Sequence, residues 1–452
     1  MRSFLSSKPL WLAMLLLSTG LPRFDSSAKA GNPPLLFSAS GQSSLPPGLR
    51  LSAVHIVGLH QFGETEVVAQ SKLKPGQIVT SEMLAQTAAR LARTGAFKSV
   101  QYSYRYSNGE IAVEFRVEEV GKFLMCAFDN FVWFTDRELL EAVQQAVPMF
   151  QGLAPESGNM PDEITAALND LLKKRGIPGQ VEHTLTGDIS SGHLRPAQHL
   201  FLVSGITMPI RSVIFERTSI LDKNLLRERS KPLIDNNYSR EFVRQFADRN
   251  LLPLYEERGY LRAHFSSPTA RTESDAWREP HGVVVTLSVD EGDRYVWGTA
   301  IWNGAQTQAV ESLNSIMNMK NGELANGLKI RQGWEAIQEA YAKKGYIDAR
   351  INYQPEFDDA HRTVTYRVAI TEGQQYRMGA LILTGLPDDQ LESLRKGWRL
   401  ATGQVFDASY LNEFIKNISH LKPKSSTFTR LASSIRSHPE KQTVDVSIEF
   451  LK

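Results

Sequence analysis

The spacing of hydrophobic and polar positions changes period in a fixed order along this chain. An apolar, β-branched run from Leu51 reaches Gly58 and predicts a strand. Glu64–Lys72 predicts a short helix, closed by Lys74-Pro75-Gly76. Ser81 opens a second helix, with Met83, Leu84, Ala88 and Leu91 on one face. Gly95 follows it where a helix end calls for a residue of positive φ. Phe97–Tyr106 and Ile111–Val117 alternate on either side of Ser107-Asn108-Gly109, the signature of a hairpin. The predicted order is strand, helix, helix, strand, strand.

That order returns. Leu91-Ala92-Arg93-Thr94-Gly95-Ala96-Phe97 has counterparts in Leu172-Lys173-Lys174-Arg175-Gly176-Ile177, Tyr255-Glu256-Glu257-Arg258-Gly259-Tyr260 and Tyr341-Ala342-Lys343-Lys344-Gly345-Tyr346, whose glycines lie 81, 83 and 86 residues apart. This period is too long for a solenoid turn of roughly 20 to 50 residues and long enough for a small domain. Glu291-Gly292 and Glu372-Gly373 lie 81 residues apart, and the intervals Gly298–Gly304 and Gly379–Gly385 follow them in the same phase. These last glycines are expected at turns of positive φ.

The division that follows is 51–120, 121–206, 207–292, 293–373 and 374–452, an α+β chain of five β-α-α-β-β domains. Each is expected to be a three-stranded mixed sheet with two helices on one face. Helices are predicted at Thr135–Val147 and Met160–Lys174, Ser239–Arg258, Lys329–Lys344, Asp388–Leu400 and Asp407–His420. Departures are visible too. The second copy carries long loops at Gly152–Asn159 and Gly187–Arg195. The third has Pro253 inside a helix, which should end or kink it near Leu252. The fifth lacks the helix-closing glycine.

Composition narrows the setting. Residues 1–30 read as a secretory signal: Arg2 and Lys8, the apolar run Leu10–Leu17, then Ala28-Lys29-Ala30 as cleavage site. The run is shorter than the roughly 20 residues that span a bilayer. Residues 31–50 form a Pro-, Ser- and Gly-rich leader, expected to be a flexible tether. The 452-residue chain carries a net charge of +2; without residues 1–30 it has 47 Lys and Arg against 48 Asp and Glu, so no basic excess favours nucleic acid. Cys126 is the one cysteine, so no internal disulfide forms and the cores must rest on apolar burial.

Chemistry is sparse. His55/His60 and His193/His199 lack helical i,i+4 spacing or a neighbouring Cys, so no metal site is expected. Glu118-Glu119 point to opposite faces of a strand; Asp358-Asp359 and Asp388-Asp389 begin turns or helices. No nucleophile elbow, phosphate loop or H-E-x-x-H is present. Neither an enzyme nor a cofactor is expected.

Gly95 with Phe97 and Val100, Gly259-Tyr260, Gly345-Tyr346, the Glu-Gly joints and the strand-ending glycines together resemble polypeptide-transport-associated (POTRA) domains, in five tandem copies. The resemblance implies the periplasmic arm of an outer-membrane barrel-assembly protein, with the barrel expected to be absent from this chain. It also implies a non-enzymatic docking role in the periplasm, near the inner face of the outer membrane. Partners would be an outer-membrane β-barrel protein or its assembly machinery and unfolded client polypeptides, without nucleic acid. An architectural envelope or cell-division protein, or the soluble half of a split barrel-assembly protein, remain alternatives.

The element order also places the middle strand of each sheet at an edge, where an extended client can add as a new strand. Candidate edges are Lys98–Tyr106, Gln180–Leu185, Arg262–Ser267, Ala349–Gln354 and Ser425–Ala432. Their candidate contact residues are Val100, Tyr102, Tyr104 and Tyr106 in the first copy, Arg262, His264 and Phe265 in the third, and Arg350, Ile351 and Tyr353 in the fourth. The alternative reading is that Val100 and Tyr102 pack under the helices and that Arg105, Arg262 and Arg350 blunt the edges by charge.

Overall fold

The computed structural model describes residues 37–38, 45–187, 197–272, 282–420 and 429–451, in two compact units that meet in sequence between Gly121 and Lys122. The expected signal, most of the leader, residues 188–195 of the long second-copy loop and residues 425–428 of the last candidate edge lie outside the described residues.

The first unit contains β1 (Phe37–Ser38), β2 (Arg50–Val57), α1 (Glu64–Ser71), α2 (Ser81–Arg93), β3 (Phe97–Ser107) and β4 (Glu110–Glu119). Asn108 and Gly109, at φ 53° and 81°, close a hairpin that makes β3 antiparallel to β4. The two-helix crossover returns β2 parallel to β4. The last strand is therefore central, and Ile111, Val113, Phe115 and Val117 on its covered face are all buried. Leu84 and Leu91 of α2 and Val67 of α1 are fully buried as well. The Thr80 hydroxyl accepts from the Met83 N–H at 3.2 Å and caps α2.

The second unit repeats this plan four times. Its first sheet holds β5 (Phe123–Phe128), α3 (Asp136–Ala146), β6 (Leu153–Pro155), α4 (Met160–Arg175), β7 (Gln180–Thr186) and β8 (Gln198–Ser204). The next holds β9 (Ile210–Glu216), α5 (Lys223–Ser230), α6 (Arg240–Phe246), α7 (Leu252–Glu256), β10 (His264–Phe265), β11 (Thr269–Thr272) and β12 (Val283–Asp290). Then come β13 (Val296–Asn303), α8 (Val310–Met317), α9 (Gly327–Lys343), β14 (Arg350–Asp358) and β15 (Thr363–Thr371). The last sheet has β16 (Arg377–Thr384), α10 (Asp388–Gly397), α11 (Ala408–His420), β17 (Arg430–His438) and β18 (Thr443–Leu451). In every sheet the first strand is parallel, and the middle strand antiparallel, to the last.

One invariant ties the five together. The start of the first strand bridges the segment before the second helix at Arg50–Ile78, Pro209–Asn237, Val296–Leu324 and Arg377–Val405, always 28 residues apart. Met125 and Leu153 pair at the same separation, so β6 is this bridge lengthened into a strand. The expectation of a plain long loop at Gly152–Asn159 and a three-stranded second sheet is corrected accordingly: the sheet has four strands, in the order β6-β5-β8-β7.

Three further differences have local causes. Gly304 and Gly385 take positive φ as expected, and a Cβ there would lie 2.2 and 2.0 Å from the carbonyl oxygens of Ile370 and Phe450. Gly298 and Gly379 instead sit inside β13 and β16, at the bulges where the parallel register shifts, and are not positive-φ turns. The single helix expected over Ser239–Arg258 is interrupted before Pro253, as the proline predicts: α6 stops at Phe246 and α7 starts at Leu252. Residues 247–251 form a wider π-helical turn, and Pro253 stands in the first turn of α7, where a missing N–H is tolerated. The middle strand of the third sheet is split into β10 and β11, both against β12, with a one-residue shift of register between them.

The joint glutamates clamp the loop between first strand and first helix. Glu119 accepts from the Gln61 and Phe62 N–H groups at 2.8 and 3.3 Å. Glu291 accepts from Ser219 and Ile220 at 2.9 and 3.0 Å, and Glu372 from Gln306 and Thr307 at 2.8 and 2.9 Å and from the Tyr341 hydroxyl at 3.0 Å. Burial by itself would raise the Glu372 carboxyl; the Thr307, Gln306 and Tyr341 hydrogen bonds outweigh it and hold the group below the ordinary carboxylate range. A depressed carboxyl stabilises the fold above its unfolded pKa, and that contribution disappears as pH falls through the folded value. Glu372→Ala is expected to reduce local stability by about 2 kcal/mol, the scale of hydrogen bonds to a charged group. Hydrogen exchange at the Gln306 and Thr307 amides reads this directly; unchanged protection would refute the clamp.

Candidate functional site: the outer strand edges

Each outer edge follows from the strand order. Among the described residues, β7, β14 and β17 pair with a central strand on one side and have no strand on the other. β14 pairs with β15 without a break from Arg350–Thr371 to Asp358–Thr363. It carries Pro355, whose missing N–H is tolerated at an edge and leaves Arg350–Gln354 as the uninterrupted stretch.

Side-chain placement follows the cross-strand register. Ile351 lies opposite Ile370 and Tyr353 opposite Val368, both buried, so Ile351 and Tyr353 belong to the helix-covered face and overhang its rim. Tyr353 is 43% exposed, and its ring stacks on Trp334 of α9, centroids 4.6 Å apart and planes 12° from parallel. Trp334 is itself buried, and its indole N–H has no hydrogen-bond partner. Trp302 and Tyr366 pack against it at 5.7 and 5.5 Å. Arg350 is exposed. Gln338 of α9 donates to the Ala349 carbonyl at 2.8 Å and fixes the helix to the start of the edge.

The first edge differs. Val100, Tyr102, Tyr104 and Tyr106 lie opposite Val117, Phe115, Val113 and Ile111, so all four share the core face. Tyr102 packs on Phe115 with centroids 5.9 Å apart, and Tyr104 is buried. The far side of β3 is not bare: β1 pairs with it antiparallel, Phe37 opposite Tyr104 and Ser38 opposite Ser103.

The third edge is broken. Phe265 is buried against Tyr255, and only His264 of this short strand faces solvent. Arg262 is committed to the following repeat: it binds Asp359 at 3.2 Å and the Tyr295 hydroxyl at 3.3 Å and lies over the Phe357 ring. The structure therefore places Ile351 and Tyr353 together on the covered face at the rim, with Arg350 on the opposite face, makes Val100–Tyr106 a core-facing row, and forms no shared surface at Arg262, His264 and Phe265. Trp334 was missed by strand-based reasoning. Its signal was the helical spacing with Ile330, Ile337 and Tyr341 on the buried face of α9.

Comparison with known proteins bears on these two intact sheets. The profile of the POTRA family, described as "Surface antigen variable number repeat", matches residues 49–120 and 295–373. These segments are POTRA domains. A putative outer membrane protein assembly factor of Treponema pallidum is 27% identical over 194 residues, which are 42% of this chain and 22% of that protein. Outer membrane protein assembly factor BamA of Nitratidesulfovibrio vulgaris is 22% identical over 177 residues, 38% of this chain and 22% of its own length. The chain thus spans about a fifth of the curated relatives it matches. Among solved structures, POTRA domains 3–5 of Haemophilus influenzae BamA align over 55% of this chain and 97% of theirs, with 19% identity and a TM-score of 0.44.

The POTRA segment 295–373 is held between its neighbours by a repeated joint. The Gly259 carbonyl accepts from the Tyr295 N–H, and the Gly345 carbonyl from the Tyr376 N–H, both at 2.9 Å. A Cβ on Gly345 would lie 2.6 Å from the Tyr376 carbonyl oxygen, so the helix-closing glycine permits the approach of the next repeat. Tyr295 donates to Asp359 at 2.5 Å and Tyr376 to Asp348 at 2.7 Å. That bond, with Arg262 nearby, holds the Asp359 carboxyl below its ordinary range. The joint before the third sheet uses other residues: Asp129 accepts from the Ser239 hydroxyl at 3.1 Å and the Glu241 N–H at 2.8 Å, extending the cap of α6.

No group of three or more His, Cys, Asp or Glu residues with metal-binding geometry occurs among the described residues, and none of their helices is long and apolar enough to cross a membrane. Cys126 is partly buried and its thiol is pushed up to about 12 by desolvation, an unreactive state. His193 lies outside the described residues. His199 is fully buried, with Nε2 donating to the Pro155 carbonyl at 3.0 Å, which leaves Nδ1 to accept from His183 Nε2 at 2.8 Å. Desolvation lowers both imidazoles below 6.5; the mutual repulsion adds to this for His183, while Asp162 and Glu156 oppose it. The unfolded chain therefore takes up protons first as pH falls. Stability of this sheet is complete above about pH 6.5 and is lost toward the lower folded values. Amide protection in β7 and β8 should fall between pH 7.5 and 5.5, and His183→Phe with His199→Leu should flatten the response; an equal response in the double variant would dismiss the pair as its origin.

Proposed function

We propose that this chain is a non-enzymatic periplasmic docking arm in outer-membrane protein assembly, which takes extended segments of clients or assembly partners by strand addition at its outer edges. One observation carries the reading: among the described residues β14 offers an unpaired edge beside an apolar rim of Ile351 and Tyr353, the latter backed by the buried Trp334. Main-chain hydrogen bonds to such an edge demand little of the incoming sequence, and a flat aromatic rim accepts varied side chains. That combination serves a protein whose clients share extended conformation rather than sequence. The names of both curated relatives, each an outer membrane protein assembly factor, support the same role. The five-domain division at 51–120, 121–206, 207–292, 293–373 and 374–452 is part of this proposal. So is the export of the chain through its first thirty residues.

The test places a photo-cross-linking residue at Tyr353 and, as control, at exposed Glu311 of α8. Adducts at position 353 should map to extended segments of outer-membrane β-barrel proteins or of their assembly machinery. Tyr353→Ala should weaken binding of an unfolded outer-membrane protein about fivefold, the loss of one aromatic contact of about 1 kcal/mol. Equal adducts at 353 and 311, with unchanged affinity, would end the proposal.

A further inference from the structure

Among the described residues, the one outer edge that already carries a further strand is that of β3. β1 lies antiparallel to it, Phe37 opposite Tyr104 and Ser38 opposite Ser103. β1 is joined by six residues to Leu45, which is buried and whose N–H donates to the Ser81 hydroxyl at 2.9 Å beside the start of α2. Leu49, just before β2, is also buried. Leu45 is thus fixed beside the start of α2, while Phe37–Ser38 lie on β3, at the rim opposite β2. We propose that the edge of β3 is a strand-docking site whose resident occupant is this chain's own segment at Phe37–Ser38, which an incoming extended polypeptide must displace.

Two physical points make the occupant a guard rather than a permanent fourth strand. β1 pairs with two of the eleven residues of β3, so a longer strand gains more main-chain hydrogen bonds on the same edge. Because only six residues of sequence separate Ser38 from Leu45, the occupant competes at the high effective concentration of an intramolecular partner, on the order of millimolar, enough to exclude weak or accidental partners. The same pairing shields an edge that would otherwise invite sheet-to-sheet association. Phe37–Ser38, in a stretch whose composition predicts only a tether, acquire a role in deciding which strands enter. By contrast β14, with no strand on its outer side among the described residues, is open from the outset.

This inference rests on the docking reading above, and its test has separate arms. In a Cys126→Ser background, Ser38→Cys with Ser103→Cys should form a disulfide readily under mild oxidation, whereas Ser38→Cys with Lys98→Cys should not. A labelled peptide of residues 33–42 (PPLLFSASGQ) should bind a variant lacking residues 33–44 at least tenfold more tightly than it binds the full chain. It should not bind the chain locked by the 38–103 disulfide. Failure of the in-register disulfide overturns the pairing. A disulfide without peptide binding to the shortened variant overturns the docking site and leaves β1 a fixed cap. If both arms fail while cross-linking at Tyr353 succeeds, the self-occupied edge is wrong and the docking arm stands.

Discussion

The parallel pairing of each first strand with each last strand is the interaction on which the rest of this structure depends. A two-helix crossover separates the first strand from the hairpin and lets it pair parallel beside the last, and the hairpin occupies the other side. With both sides of the last strand filled, the middle strand has no choice but the rim. The close approach is visible where Gly58, Gly304 and Gly385 end the first strands: a Cβ would meet a carbonyl oxygen of the last strand at 2.1, 2.2 and 2.0 Å. In the third sheet Arg217 takes the same left-handed conformation at φ 55°. The outer edge is therefore a consequence of chain order and needs no residue of its own to create it.

Edges alone do not make equivalent surfaces. The third is consumed by packing and by the joint to the fourth repeat, where Arg262, Tyr295 and Asp359 meet. The first is taken by β1. The fourth keeps an exposed stretch beside stacked aromatic rings. Repeats with one topology thus diverge in availability through a handful of side chains and one short strand. The joints are economical: a helix-closing glycine and the tyrosine of the next repeat share a single backbone hydrogen bond on each side of the fourth sheet.

Much of this was legible in the chain because the signals were local. The helix read from Thr135 begins there, and the structure adds a capping box between Thr135 and Glu138 that the sequence reading did not single out. Asn108-Gly109 announces its hairpin, and Gly95, Gly176, Gly259 and Gly345 all take the left-handed conformation expected past a helix. Pro253 marks an interruption near Leu252 as expected, but the form it takes, a π turn over residues 247–251, has no local signal in the chain. β6 was hidden in a stretch read as loop, since a three-residue strand has no period of its own.

By itself the sequence determined the order of elements, the repetition and the ends of most helices, each set by residues a few positions apart. The tertiary structure decided which edges are open. Tyr102 and Tyr104 alternate as a surface row would, but only their register against Phe115 and Val113 places them on the core face. Arg262 is an unremarkable basic residue until the next repeat brings Asp359 to it from 97 positions away. Availability of an edge is a statement about what lies beside it in space, and no local rule of composition or period encodes a neighbour so distant along the chain.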